Sequence, residues 1–255
     1  MNVFALPQDL TTAALAVMLT GLAIGAIARG YSGFGFSAIL VSSWALVTDP
    51  ARAVVVALCL EVAASIMQAF SVWREIPWKR VALLMAGAVI GTPAGAYLLA
   101  HAPREPLKLA IGVFVLISAG LLLFGFKLKG KSHGSRTAAV GVASGVANGA
   151  VAMGGLPVAL FLTAEGERPH QIRASVIAYF FLLDIAGLIF LARESVVTAE
   201  MLSLAAISLP ITAFGVWLGG RRFLGATPDS FRRTTLVMLM GIAAIGIVRG
   251  LWVLS

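Results

Sequence analysis

The feature that most constrains this chain is its succession of long apolar runs joined by short polar connectors. The runs fall at about 10–28, 34–48, 51–72, 81–100, 107–126, 137–151, 155–164, 171–192, 200–220 and 234–254. A membrane-spanning helix needs about 20 apolar residues, and so many such runs cannot be hidden in one soluble core. Of the 255 residues, 60% are apolar and only 12% charged, against about 25% charged in soluble domains. The length accommodates about eight to ten membrane segments. That excludes a full twelve-helix carrier and leaves no room for a soluble catalytic or nucleotide-binding domain. The predicted class is an all-α integral membrane protein, a polytopic helical bundle.

The formal charge of +8 does not point to nucleic acid, which requires a clustered basic face. The basic residues sit between apolar runs, where they report topology. The segments 74–80, 127–136, 165–173 and 221–233 carry 13 of the 19 Lys and Arg, and the opposite loops carry 4. This bias predicts those four segments to be cytoplasmic and both termini to lie on the outer side. Trp73 and Trp78 would then flank a cytoplasmic turn as interfacial anchors. No Lys or Arg precedes the first apolar run, so it reads as a retained helix, not a cleaved signal.

Three runs, 34–48, 137–151 and 155–164, are too short to cross about 30 Å of hydrocarbon. The first pair is split by Arg29-Gly30-Tyr31-Ser32-Gly33, and the later pair by Asn148-Gly149 and Gly154-Gly155. Each pair reads as a broken hairpin that enters the bilayer and returns. The halves share one order of elements at an offset of about 120. The first repeat, 1–126, contains a broken hairpin (10–48) and spans 51–72, 81–100 and 107–126. A cytoplasmic linker, 127–136, leads to the second repeat, 137–255, with a broken hairpin (137–164) and spans 171–192, 200–220 and 234–254. An odd number of crossings per half inverts the second copy, the inverted-repeat plan of secondary transporters.

Paired, glycine-interrupted short segments are the best pointer to a transporter's substrate site. A helix broken inside the membrane frees backbone N–H groups that only protein, water or a ligand can satisfy, and a half-helix N-terminus favours anions. The candidate substrate-binding residues are therefore Arg29, Tyr31, Ser32, Gly33, Phe34, Gly35, Phe36, Ser37, Asn148, Gly149, Met153, Gly154, Gly155 and Pro157. The alternative for the glycines is close helix packing. Arg29 would face a substrate or a carboxylate, or else snorkel to an interface. Arg52 and Arg173, at the starts of the following helices, either anchor loops or attract anions at the entrances. Glu61 and Asp184, each near the middle of the span after a hairpin, either couple protons or pair locally with Arg29, Arg249, Gln68 or backbone.

Neither catalysis nor metal binding is expected. His101, His133 and His170 all fall in loops without metal-ligand spacing, Cys59 stands alone, and there is no nucleophile elbow or P-loop. No cofactor is expected. The partners are a small anionic substrate and the lipid bilayer, with homo-oligomerisation open. A carrier or channel for a cation, built on Glu61 and Asp184, is the rival transport reading. An integral-membrane enzyme is the rival from another class.

At these residues the chain resembles the TauE/SafE family of sulfite and organosulfonate exporters. Gly21-Leu22-Ala23-Ile24-Gly25 leads into Gly33-Phe34-Gly35-Phe36-Ser37, where the family has a Gly-x-Gly-Gly-Gly run and Phe36 and Ser37 here replace two glycines. Ser42 stands near the family's later proline. Ser144-Gly145 and Gly149 lead into Gly154-Gly155-Leu156-Pro157, which is similar to a Gly-Gly-Pro-Pro run with Leu156 in place of one proline. The resemblance implies a permease of the bacterial inner membrane for small sulfur-containing anions.

Overall fold

The computed structural model describes residues 11–103 and 134–224, with isolated positions between 106 and 117 and Gly241. Most of the expected spans 107–126 and 234–254 and of the linker 127–136 lie outside the described residues. Among the described residues every regular element is helical. The helices are α1 (Thr12–Ser32), α2 (Phe36–Trp44), α3 (Pro50–Val72), α4 (Trp78–His101), α5 (Gly134–Val151), α6 (Gly155–Ala164), α7 (Pro169–Arg193) and α8 (Ala199–Leu224). A single 3-10 turn, Trp73–Glu75, links α3 to α4.

Local chemistry sets several helix ends. Thr11 caps α1 by accepting from the Ala14 N–H at 3.2 Å. Asp49 caps α3 through Ala51 at 2.8 Å, with Pro50 at the first helical position, where its missing N–H costs nothing. Pro169 opens α7 in the same way. Helices α1, α3, α4, α7 and α8 are long and apolar enough to cross a membrane. Helices α2 and α6, of 9 and 10 residues, rise only about 13–15 Å, half of what a crossing requires.

The two short helices follow two breaks, and both breaks are narrower than the sequence suggests. Helix α1 continues through Arg29-Gly30-Tyr31-Ser32 and stops at Gly33, which is left-handed at φ 82°. It continues because its polar groups find partners. The Ser32 hydroxyl donates back to the Ala28 carbonyl at 2.9 Å and also lies 2.8 Å from the Phe34 carbonyl, while Arg29 pairs with α3. Likewise α5 runs through Asn148-Gly149 and stops before Ala152, at φ 56°. Helix α2 then returns along α1. Phe36 lies beside Gly25, Ser43 beside Gly21, and the Trp44 indole donates to the Met18 carbonyl at 2.9 Å.

Two pairs of helices approach backbone to backbone. Gly87, Gly91 and Gly95 of α4 face the carbonyls of Ala138, Val142 and Val146 on α5, and Gly141, Gly145 and Gly149 face those of Leu84, Ala88 and Thr92. A Cβ at any of the six would come within 2.0–2.5 Å of a carbonyl oxygen. In the other pair, Gly30 of α1 faces the Val216 carbonyl of α8, and Gly219 faces that of Ile27. Small residues are what allow such contact where lipid provides no hydrophobic drive. Each long interface thus joins a helix that precedes a break, α1 or α5, to the second long helix after the other break, α8 or α4. Three ion pairs add ties at opposite ends of α3. At its start, Arg52 meets Glu200 at 3.1 Å. Beyond its far end, Arg80 of α4 meets Glu165 and Glu167 in the α6–α7 connection.

Candidate functional site

The breaks matter because of what packs against them. Arg29, one turn before Gly33, is fully buried. Its Nε lies 3.0 Å from Glu61 Oε2, Nη2 donates to Ser65 Oγ at 2.7 Å, and Nη1 donates to the Gly33 carbonyl. The guanidinium stacks over the Phe180 ring, 4.7 Å from its centroid. The other carboxylate oxygen of Glu61 accepts from the Ser37 hydroxyl at 2.9 Å and from the Ser37 backbone N–H at 3.4 Å. Ser37 is the second residue of α2, so the Glu61 carboxylate occupies a half-helix N-terminus and an arginine together. Gln68 closes the cluster with its amide 3.4 Å from the carbonyls of Arg29 and Gly30.

The second break has a neutral counterpart of Arg29. Asn148, one turn before Ala152, donates through Nδ2 to Asp184 Oδ1 at 3.0 Å and accepts the Gly154 N–H at 3.3 Å. Asp184 is buried, and its Oδ2 has no hydrogen-bond partner among the described residues. Tyr179 donates to Ser144 at 2.7 Å, and Ser144 donates to the Gly154 carbonyl at 2.5 Å. Phe180 joins the two clusters. It stacks on Arg29, and it also covers the first residue of α6 so closely that a Cβ on Gly155 would lie 1.7 Å from a ring carbon.

The correspondence between the clusters is positional. The interval from Gly33 to Ala152 equals that from Pro50 to Pro169, from Arg29 to Asn148 and from Ser65 to Asp184. The Ser65–Arg29 and Asp184–Asn148 hydrogen bonds therefore sit at equivalent places. Glu61 does not align with Asp184 in this register but with Phe180, one helical turn earlier.

Most of the expected residues gather at the breaks, and Tyr31, Gly149 and Arg52 do not. Arg29, Ser32, Gly33, Phe34, Gly35, Phe36 and Ser37 form the first break, and Met153, Gly154 and Gly155 form the second with Asn148. Tyr31 packs edge-on against Phe223. Pro157 lies within the first turn of α6. Gly149 faces α4 instead of the site, because it belongs to the glycine seam with Thr92. Arg52 is tied to Thr48 at 3.1 Å and to Glu200 at the start of α3, away from Arg29. Its expected partner Arg173 behaves differently. It donates to the Gly30 carbonyl at 3.1 Å, stacks 4.6 Å from the Phe223 centroid and touches Gly33 with its stem. The residues missed by sequence reasoning are Ser65, Phe180, Ser144 and Tyr179. Ser65 and Ser144 sit about one turn from polar residues already singled out, Glu61 and Asn148, Tyr179 sits five residues from Asp184, and the equal interval from Ser65 to Asp184 was a usable signal.

Membrane-length helices interrupted twice, with both interruptions meeting at a buried charged cluster, define a membrane transport protein. The chain belongs to the sulfite exporter TauE/SafE family, which it matches over residues 17–246. It is 24% identical over 175 residues to a probable sulfite/organosulfonate exporter TauE of Cupriavidus necator, covering 67% of this chain and 68% of that protein. No solved structure matches the chain. Family members are transporters and not enzymes.

Proposed function

We propose that the protein carries a small sulfur oxyanion, sulfite or a small organosulfonate, across the bacterial inner membrane by alternating access of two inverted repeats. The observation that carries this reading is the convergence of Arg29 and the α2 N-terminus on one buried carboxylate. An arginine and free backbone donors are the groups that recognise an oxyanion. The site lies between Gly33–Ser37, Phe180 and Gly154–Pro157. The sulfur chemistry is supported by the family and by the name of the Cupriavidus relative.

The reciprocal seams, α1 on α8 and α4 on α5, support the inverted-repeat plan, as do the equal intervals between the two clusters. Each half contributes one helix to each seam. Counterflow in proteoliposomes tests the reading. Vesicles loaded with unlabelled sulfite should accumulate labelled sulfite or labelled taurine, and Arg29→Gln should abolish accumulation while the protein still inserts. Counterflow of labelled sodium or potassium with no response to sulfite, taurine or other sulfonates would overturn it.

A further inference from the structure

The anion site just described is already filled by the protein. Glu61 takes the Arg29 guanidinium with one carboxylate oxygen and the Ser37 donors of α2 with the other. These are the donors an incoming oxyanion needs, and the pair is buried, so substrate and ionised Glu61 compete for one set of partners. Resting on the proposed oxyanion reading, we infer that Glu61 is an internal substitute for the substrate, displaced when the anion binds and protonated as it leaves, so that one proton is bound with each anion.

Charge accounting supports the proton. Among the described residues the buried centre holds Arg29, Glu61 and Asp184, with Arg173 as a second buried cation beside Gly33. An anion that took Arg29 from an ionised Glu61 would leave a carboxylate buried without its cation, which is strongly unfavourable. A proton taken up by the carboxylate converts it to a neutral acid, whose oxygen still accepts from Ser37. Among the described residues the surroundings offer no uncommitted replacement cation. Helix α1 presents Arg29 and α2 only serines. On α3 itself the nearest titratable group is Cys59, and Arg52 is engaged with Glu200 of α8. Helix α5 presents Ser144 and Asn148, while α7 presents Asp184, Tyr179 and Arg173. Of these, Arg173 is committed to the Gly30 carbonyl and the Phe223 ring. Asp184 is not the displaced group, because its bonded oxygen is held by the Asn148 amide and not by Arg29.

The test is calorimetric titration of the purified protein with methanesulfonate, which remains a monoanion throughout, in buffers of different ionisation enthalpy. The wild type should take up one proton per anion, and its affinity should fall as pH rises, by about tenfold per unit where uptake is complete. Glu61→Gln should bind with no proton uptake and no pH dependence, at least as tightly at about pH 8 as the wild type at about pH 6. The proton count of the wild type decides the matter even where the variant folds poorly. Wild-type binding without proton uptake overturns the inference and leaves the oxyanion site standing. Proton uptake that persists in Glu61→Gln and disappears in Asp184→Asn overturns it too, since the proton then belongs to Asp184. Absence of binding to both proteins overturns the substrate reading and this inference with it.

Discussion

The Arg29–Glu61 pair allows a quantitative test of how the core is held together. Replacing Arg29 with Met removes the 3.0 Å ion pair, the 2.7 Å bond to Ser65, the bond to the Gly33 carbonyl and the stacking on Phe180. It leaves Glu61 about 1% exposed with only Ser37 as a partner. Breaking a buried pair from one side costs about 3–5 kcal/mol. For a chain of this size about 2–4 °C is lost per kcal/mol, so Arg29→Met should melt roughly 6–20 °C below the wild type. Glu61→Gln should cost less, about 2–3 kcal/mol, because Arg29 keeps Ser65 and the Gly33 carbonyl. The double variant, with no charge left at the pair, should be no worse than Arg29→Met alone. The expected coupling is therefore about 2–3 kcal/mol. Unfolding of the four proteins in detergent micelles, at one fixed pH, measures it. Additive effects, with coupling under about 0.5 kcal/mol, would show that the two side chains do not act as a pair.

Three further outcomes follow from neighbouring contacts. Gly155→Ala drives a Cβ into the Phe180 ring at 1.7 Å and should abolish sulfite counterflow; Gly155→Ala with Phe180→Leu should recover part of it, and equal inactivity of both would refute the steric account. Gly145→Val places side-chain carbon against the Ala88 carbonyl, 2.4 Å from the position of Cβ alone, so the α4–α5 seam must separate. Its cost should exceed about 2 kcal/mol, read as a lowered melting temperature. Tyr179→Phe removes the 2.7 Å bond to Ser144 and should cost about 1 kcal/mol, with Ser144 still able to donate to Gly154. A melting curve matching the wild type would show that this bond contributes nothing.

What could be read from the chain divides by the range of the interaction. The number and order of apolar runs are legible because a lipid-exposed backbone must close its hydrogen bonds within one helix, so span length is written locally. The short second members of the hairpins, α2 and α6, are legible for the same reason. The exact break was not, because an isolated reading of Arg29-Gly30-Tyr31-Ser32 sees four poor membrane residues. The helix survives them because Glu61 and Ser65 arrive from a separate helix to satisfy Arg29. Glu61 had several candidate partners in the sequence, and only packing chooses Arg29 among them. Phe180 was hidden for the opposite reason: an aromatic residue in an apolar run looks like lipid-facing bulk until Arg29 and Gly155 are found on it.

Gly149 shows that a local signal was available and pointed elsewhere. Gly141, Gly145 and Gly149 recur every fourth residue, as do Gly87, Gly91 and Gly95, and residues at that spacing share one helix face. Two such faces in one chain require a partner of the same kind, and each supplies the other's. That periodicity assigns Gly149 to the seam and leaves Asn148, the adjacent residue, pointing to a different face, where it meets Asp184. The same register locates Arg29 beside Gly30, which packs on Val216 while its neighbour turns to Glu61. In both halves the polar residue at the site is therefore held by the glycine that follows it: the close backbone contact fixes the rotation of the helix, and that rotation aims Arg29 and Asn148 inward.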